Sequence, residues 1–320
     1  MSIIPRNDFH LTRAYQLLMN FTPASKVIVQ GILEPLGQLY APLMQEYGTQ
    51  IVAGVSPGQG GQVLAGIPVF DMLEQALPKV GTVDTTVIFS PPYAALDAAL
   101  EAIAVGIRQI VLISQGIPPL DMVHLIRKAE ATDTLIVGPN SPGVIVPGQM
   151  LLGIHPPDFY RPGSIGLLSR NGTLTYEVAW TLTQAGFGQS IAVSMGGDQI
   201  TGSTFPQWLQ ILDEDDQTDV IVLVGEIGGD YEETAAHYIA EAIDKPVIAY
   251  VAGRSAPRNR RIGHAGAIIE SQTANLGPDL GTAESKVSAF KRAGIPVADR
   301  PSEIPEIVKR ILKTPARKAI

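Results

Sequence analysis

From Lys26 onward the chain alternates short, continuous apolar runs with stretches whose apolar residues recur at helical spacing. The runs Lys26–Gln30, Gln50–Gly54, Thr85–Ser90, Gln109–Ser114 and Thr134–Gly138 predict strands. Helices are predicted between them at Gly37–Tyr47, Tyr93–Val105 and Leu120–Ala129. Strands that are apolar throughout, joined by helices, predict a parallel sheet covered on both faces, the doubly wound α/β arrangement. Between Asn140 and Gly163 the alternation lapses into a passage rich in proline (Pro142, Pro147, Pro156, Pro157, Pro162), and a domain boundary is expected there, after residue 145. A second α/β series follows. Its strands are expected at Ser164–Leu168, Ser190–Ser194, Asp219–Val224, Lys245–Val251 and Ile295–Ala298, and its helices at Thr173–Ala185, Thr204–Leu212, Tyr231–Ala242, Thr282–Ala293 and Ser302–Leu312. Residues 1–25 read as an N-terminal extension, with helical spacing over His10–Phe21 that Thr22-Pro23 stops.

In sheets of this kind ligands bind at the carboxyl ends of the strands. In the first half those ends carry Gly31, then G-V-S-P-G-Q-G-G (Gly54–Gly61), S-P-P-Y (Ser90–Tyr93), S-Q-G-I-P (Ser114–Pro118) and G-P-N-S-P-G (Gly138–Gly143). Glycine- and proline-rich turns gathered on one rim suit a nucleotide-like ligand, although any such sheet needs turns there.

Composition narrows the choices. The chain has 320 residues, enough for two ordinary domains, and at 45 % hydrophobic and 17 % charged it can bury a sizeable core. A net charge of −8 argues against a nucleic-acid binder. The absence of cysteine excludes disulfides, thiolate metal sites and cysteine nucleophiles. His10, His124, His155 and His237 show no metal-ligand spacing, so no metal site is expected on this chain. Without a long apolar run or a signal-peptide pattern, a soluble, cytoplasmic protein is expected.

The second half holds the stronger chemistry. His264 lies in V-A-G-R-S-A-P-R-N-R-R-I-G-H-A-G-A-I-I, flanked by Gly263 and Gly266 and preceded by Arg254, Arg258, Arg260 and Arg261. Arginines beside one histidine in an acidic chain point to an anion, most simply phosphate; the competing reading is a tight glycine turn with arginines wetting a loop. S-R-N-G-T-L-T-Y-E (Ser169–Glu177) follows a strand and opens a helix that Ser169 or Asn171 can cap, leaving N–H groups that favour an anion. G-E-I-G-G (Gly225–Gly229) puts Glu226 at the end of a very apolar strand, where a carboxylate could orient an imidazole. Together these parts make a histidine that carries phosphate, a carboxylate that holds it, and a helix start that receives the charge.

G-H-A-G-A-I-I, G-E-I-G-G, S-R-N-G-T-L-T-Y-E, G-P-N-S-P-G-V-I, G-V-S-P-G-Q-G-G and G-I-P-P-L-D-M all resemble motifs of the alpha subunit of succinyl-CoA synthetase (succinate–CoA ligase), in that family's order, and the resemblance runs from about Lys26 to about Leu312. It implies an N-terminal Rossmann-type CoA-binding domain (26–145) and a flavodoxin-like ligase domain (146–320). It also implies a beta subunit of ATP-grasp fold that carries the ATP or GTP with Mg, in a heterodimer or paired heterodimers. His264 matches the phosphorylated histidine and Glu226 the glutamate that holds it. Gly172 and Thr173 match the helix start that meets phosphate, and Tyr176 a substrate-binding position shared with the beta subunit. The implied reaction passes phosphate from a nucleoside triphosphate to His264 and then to succinate; CoA thiol then displaces it.

The departures fall mostly on the CoA half. Where the family reads G-F-T-G-S-Q-G, this chain reads G-I-L-E-P-L-G (Gly31–Gly37). Polar side chains are replaced by Leu33, Pro35 and Leu36, Pro35 removes a donor, and Glu34 places a carboxylate where phosphates are expected. The family's P-G-K-G-G lysine is Gln59, its T-E-G-I-P glutamate is Gln115, and the cysteine after G-P-N is Ser141. The serine before G-T-L-T is Asn171. CoA contacts are therefore expected at Gly31, Pro57, Gln59, Ser114, Gln115 and Asn140, with Gln59 and Gln115 included for their own hydrogen-bonding capacity. The alternative is a paralogous phosphohistidine or regulatory subunit whose CoA site is lost or altered. An NAD enzyme is disfavoured, because the first turn lacks G-x-G-x-x-G.

Overall fold

The computed structural model describes residues 21–256 and 281–313. The helix expected from His10 lies outside that range apart from Phe21, as do His264, Arg258, Arg260 and Arg261. Two seven-stranded sheets organise the described chain. The first contains β1 (Lys26–Gln30), β2 (Gln50–Val55), β3 (Val63–Leu64), β4 (Ile67–Phe70), β5 (Thr85–Ile88), β6 (Gln109–Leu112) and β7 (Leu135–Val137). It is covered by α1 (Pro35–Tyr47), α2 (Leu73–Val80), α3 (Ala95–Ala104) and α4 (Pro119–Ala131). The second contains β8 (Gly143–Val146), β9 (Met150–Gly153), β10 (Pro162–Ser169), β11 (Gln189–Ser194), β12 (Val220–Gly225), β13 (Val247–Val251) and β14 (Val297–Ala298). Its helices are α5 (Gly172–Gln184), α6 (Phe205–Glu214), α7 (Tyr231–Ala242), α8 (Ala283–Arg292) and α9 (Ile304–Lys313).

The strand orders are β3-β4-β2-β1-β5-β6-β7 and β14-β13-β12-β10-β11-β8-β9. In the first sheet the chain builds outward from β1 through β2 and β4, then returns to place β5 on the other side of β1. In the second it runs from β10 to β11 and then crosses to put β12 on the far side of β10. Each reversal opens a crevice above the strand ends, between β1 and β5 and between β10 and β12. Those ends carry Gly31 and Ser90 in one sheet, and the Ser169–Asn171 turn and Glu226 in the other.

Two features were not anticipated. In the first sheet, β3 and β4 form a hairpin whose two-residue turn, Ala65-Gly66, has both φ angles positive (49° and 83°), the geometry that matches strand twist; α2 follows it. In the proline-rich passage, β8 and β9 pair with each other, and β8 pairs antiparallel with β11. The chain thus leaves the first sheet after Val137 and enters the second at Gly143. The sheets are joined through the end of α1: Thr49 Oγ1 donates to the Leu151 carbonyl (2.6 Å) and accepts from its N–H (3.0 Å), and Gly148 N–H donates to the Tyr47 hydroxyl (2.8 Å). Phe21, the last residue of the expected extension helix, is buried against Trp208 of α6. Among the described residues, no helix is long and apolar enough to cross a membrane.

Candidate active site at the second crevice

The start of α5 and the end of β12 meet through one side chain. Asn171 is the N-cap of α5: its Oδ1 accepts from Leu174 N–H (2.9 Å) and from the Thr173 hydroxyl (3.2 Å). Its Nδ2 donates to Glu226 Oε2 at 2.7 Å. Ser169, the other candidate cap, instead accepts from Asn171 N–H (3.0 Å) and donates to the Asn171 carbonyl (2.8 Å), so it shapes the turn. Gly172 is half-buried and Thr173 exposed at the first turn, where the helix dipole favours an anion. The structure brings Asn171, Gly172, Thr173 and Glu226 together as expected, while His264 lies outside the described residues. Arg254, expected to help hold an anion, instead pairs with Asp299 and donates to the Ala298 carbonyl (2.9 Å).

Beneath this crevice lies a charged cluster that the sequence reading did not identify. Arg170, Glu232 and Lys286 are all essentially inaccessible, at 1, 0 and 0 %. Arg170 Nη1 donates to both Glu232 oxygens (3.1 and 3.3 Å) and to the Gly228 carbonyl (3.1 Å), and its guanidinium lies 4.3 Å from the Tyr231 ring centre. Lys286 Nζ pairs with Glu232 Oε2, with Glu233 (3.0 Å) and with the Gly229 carbonyl (2.9 Å). Glu232 Oε1 also accepts from Glu226 N–H at 3.1 Å. Three buried side chains thus hold the backbone of the Gly225–Gly229 loop. Burial alone would raise the Glu232 carboxyl, but Arg170 and Lys286 outweigh it and hold it below its ordinary value. For Arg170, burial works downward, yet Glu232 and Glu226 carry the guanidinium above its ordinary value. Gly225 is needed for this closeness, since a Cβ there would come within 2.5 Å of Glu232 Cγ. Sequence signals existed: Arg170 lies inside S-R-N-G-T-L, and Lys286 interrupts the small and apolar buried face of Ala283, Ala289 and Phe290.

Tyr176, half-buried on α5, belongs to an aromatic group between the two sheets. Its ring meets His155 edge-on at 5.7 Å, and His155 meets Tyr160 at 5.3 Å. His155 Nε2 donates to the Gly143 carbonyl (3.0 Å), so Nδ1 accepts from the Tyr160 hydroxyl (2.7 Å). Complete burial lowers the His155 pKa to about 4 against the opposing effect of the Gly143 carbonyl, so the ring is neutral at pH 7. Burial, with Tyr40 nearby, raises Tyr176 to about 12. Tyr40 reaches this group from α1, which draws the first domain into the neighbourhood of α5.

The first crevice differs in character. Gly31, at φ +71°, lets the turn after β1 pass beneath β5; a Cβ there would stand 2.6 Å from Ser90 N. α1 begins at Pro35 with no side-chain cap from Glu34. Pro57, Gln59 and Gln115 are exposed. Gln59 Nε2 lies 3.4 Å from Ser56 Oγ, and its Oε1 accepts from Gln62 (3.3 Å). Ser114 Oγ donates to the Ser90 carbonyl (2.6 Å), and Asn140 N–H donates to the Ser114 carbonyl (2.9 Å). Asn140 Nδ2 turns to Asp198 of the second domain at 3.0 Å. The turn segments 31–37, 55–62, 90–94 and 114–118 contain no lysine or arginine. The residues present fit a polyanionic ligand through amides and neutral side chains only.

A Rossmann-like domain followed by a flavodoxin-like one, with a carboxylate set at a helix start, defines the class of two-domain CoA ligases. The CoA binding domain family matches residues 22–116 and the CoA-ligase family matches residues 168–290. The chain is 45 % identical to the succinate–CoA ligase [ADP-forming] subunit alpha 2 of Archaeoglobus fulgidus over 90 % of its own length and 97 % of that protein's. It is also 45 % identical to the corresponding alpha subunit of Aquifex aeolicus, covering 90 % and 93 %. The chain belongs to the family of succinate–CoA ligase alpha subunits. Its fold is shared by ATP citrate lyase from Methanothrix soehngenii (TM-score 0.79, 24 % identity), covering 91 % of this chain and half, 50 %, of that one. It is shared too by acetyl-coenzyme A synthetase 1 of Ca. Korarchaeum cryptofilum (TM-score 0.69, 22 % identity), covering 88 % of this chain and 60 % of that one.

Proposed function

We propose that the chain is the alpha subunit of an NDP-forming succinate–CoA ligase, working with a beta subunit of ATP-grasp fold that binds ATP or GTP with Mg. The observation that carries the reading is the contact between Glu226 and the capped start of α5 at the switch point of the second sheet. In this reading a CoA-binding domain is followed by a ligase domain; the boundary expected after residue 145 falls inside β8, which belongs to the second sheet, so the ligase domain begins by Gly143. His264 takes the γ-phosphoryl group: an N–P bond forms as the bond to the departing nucleoside diphosphate breaks. Glu226 holds the imidazole in one orientation and stabilises it when charged, while amides at Gly172 and Thr173 take up the phosphoryl charge. A succinate oxygen then attacks phosphorus, breaking the N–P bond and giving succinyl phosphate. Phosphate leaves the acyl carbon as the C–S bond to CoA forms, and the thiol proton is released. Tyr176 contacts the acid, and its raised pKa keeps its hydroxyl protonated as a donor. Gly31, Pro57, Gln59, Ser114, Gln115 and Asn140 line the CoA crevice. Dividing the reaction lets each crevice stabilise its own step.

The test is to incubate the alpha–beta complex with γ-labelled ATP. An acid-labile, alkali-stable label on this chain is expected, and it is absent in His264→Ala. Label that survives that substitution overturns the reading. CoA titration by calorimetry separates the ligase from a paralogue without a CoA site: saturable binding is expected, and none up to millimolar concentration contradicts it.

A further inference from the structure

Each arm of the Asn171 amide has its own partner, and together they fix its orientation. Exchanging Oδ1 and Nδ2 would face the NH2 group toward the Leu174 N–H, donor against donor, and the oxygen toward the Glu226 carboxylate. The observed orientation satisfies both neighbours. A serine at this position caps the helix as well as asparagine does, but its single oxygen lacks the planar second arm that reaches Glu226. Capping alone therefore does not account for the amide.

We propose that Asn171 is a positioning residue that ties the phosphate-receiving start of α5 to the Glu226 carboxylate, so that the two move as one unit when the phosphoryl group arrives. The tether completes a set of anchors on Glu226: Glu232 fixes its backbone N–H, and Arg170 and Lys286 fix the carbonyls of Gly228 and Gly229. Of the charged residues in that cluster, Glu232 accepts from the Glu226 N–H and Arg170 lies close enough to feel the Glu226 charge. Asn171 is the neutral group that donates to the carboxylate itself. This inference rests on the role proposed for Glu226.

The test compares rates of label transfer from γ-labelled ATP to this chain in the alpha–beta complex for wild type, Asn171→Ser and Asn171→Asp. Asn171→Ser should melt within a degree or two of wild type, because the cap survives, while phosphoenzyme formation slows about tenfold with little change in the KM for ATP. Asn171→Asp keeps the cap but sets a carboxylate against Glu226. It should slow transfer further at pH 8 and recover part of the loss toward pH 5.5, as one of the two acids takes up a proton. Wild-type transfer rates in Asn171→Ser, or an Asn171→Asp loss that does not change with pH, would overturn the tether. Absence of label from His264 in the wild-type complex would instead overturn the function on which the tether rests.

Discussion

The two crevices are built by the same topological device and equipped in opposite ways. Above β1 and β5 the rim turns carry no lysine or arginine, meet carboxylates at Glu34, Asp71 and Asp198, and are held largely by backbone turns. Above β10 and β12 a carboxylate and a helix start are fixed from below by Arg170, Glu232 and Lys286, which see no solvent. Topology locates both sites, but only the second is preorganised, as a site of developing charge requires. The first has only to hold a ligand, and amides and neutral side chains can do that with substitutions. That contrast explains why the departures Leu33, Glu34, Pro35 and Gln59 gather on one rim while S-R-N-G-T-L-T-Y-E and G-E-I-G-G are nearly intact.

Breaking the buried cluster should have the largest effect. Lys286→Met leaves Glu232 and Glu233 short of a cation in a dry site, and a loss of about 3–5 kcal/mol is expected, read as a large fall in melting temperature. A variant that melts like wild type would show that the cluster is not needed to hold the second crevice. Glu226→Ala should next slow phosphoenzyme formation about 100-fold while leaving CoA affinity unchanged by calorimetry, because the two crevices are separate. Equal damage to both would erase the comparison.

His155 gives a smaller effect with a defined sign. Its folded pKa, about 4, lies below the ordinary value of 6.5, so the unfolded chain binds the proton first as pH falls. The contribution is present above pH 6.5 and is lost progressively toward pH 4. Between pH 7 and 5 wild type should lose about 2 kcal/mol from this group, and His155→Gln should lose less by that amount, as followed by denaturant midpoints. The smallest change is expected at the first rim. Gln59→Lys should tighten CoA severalfold at low salt and steepen its salt dependence, since it adds a cation to a rim that has none.

Much of this was legible in the sequence. Continuous apolar runs located all five parallel strands of the first sheet other than β4, and the strand ends pointed to both crevices. The hairpin β3–β4 escaped because its strands are short and Pro68 breaks their pattern; the Ala65-Gly66 turn was the available signal. β8 and β9 were hidden by flanking prolines. At the site, Glu226 and Asn171 could be named from the strand end and the helix start. Arg170, Glu232 and Lys286 could not be paired, because nothing in sequence spacing says that charges at 170, 232 and 286 share one buried point. His155 lacks metal spacing, and its role as the support between Tyr160 and Tyr176 depends on the segment after β9 packing beside α5.

The central claim is that phosphoryl transfer belongs to the second crevice and is complete before CoA is needed. Isotope exchange between ADP and ATP in the alpha–beta complex, without CoA or succinate, tests it most directly. The account predicts exchange that is unaffected by Gln59→Ala and Gln115→Ala and slowed about 100-fold by Glu226→Ala. Exchange that requires CoA, or that persists undiminished in Glu226→Ala, would contradict it.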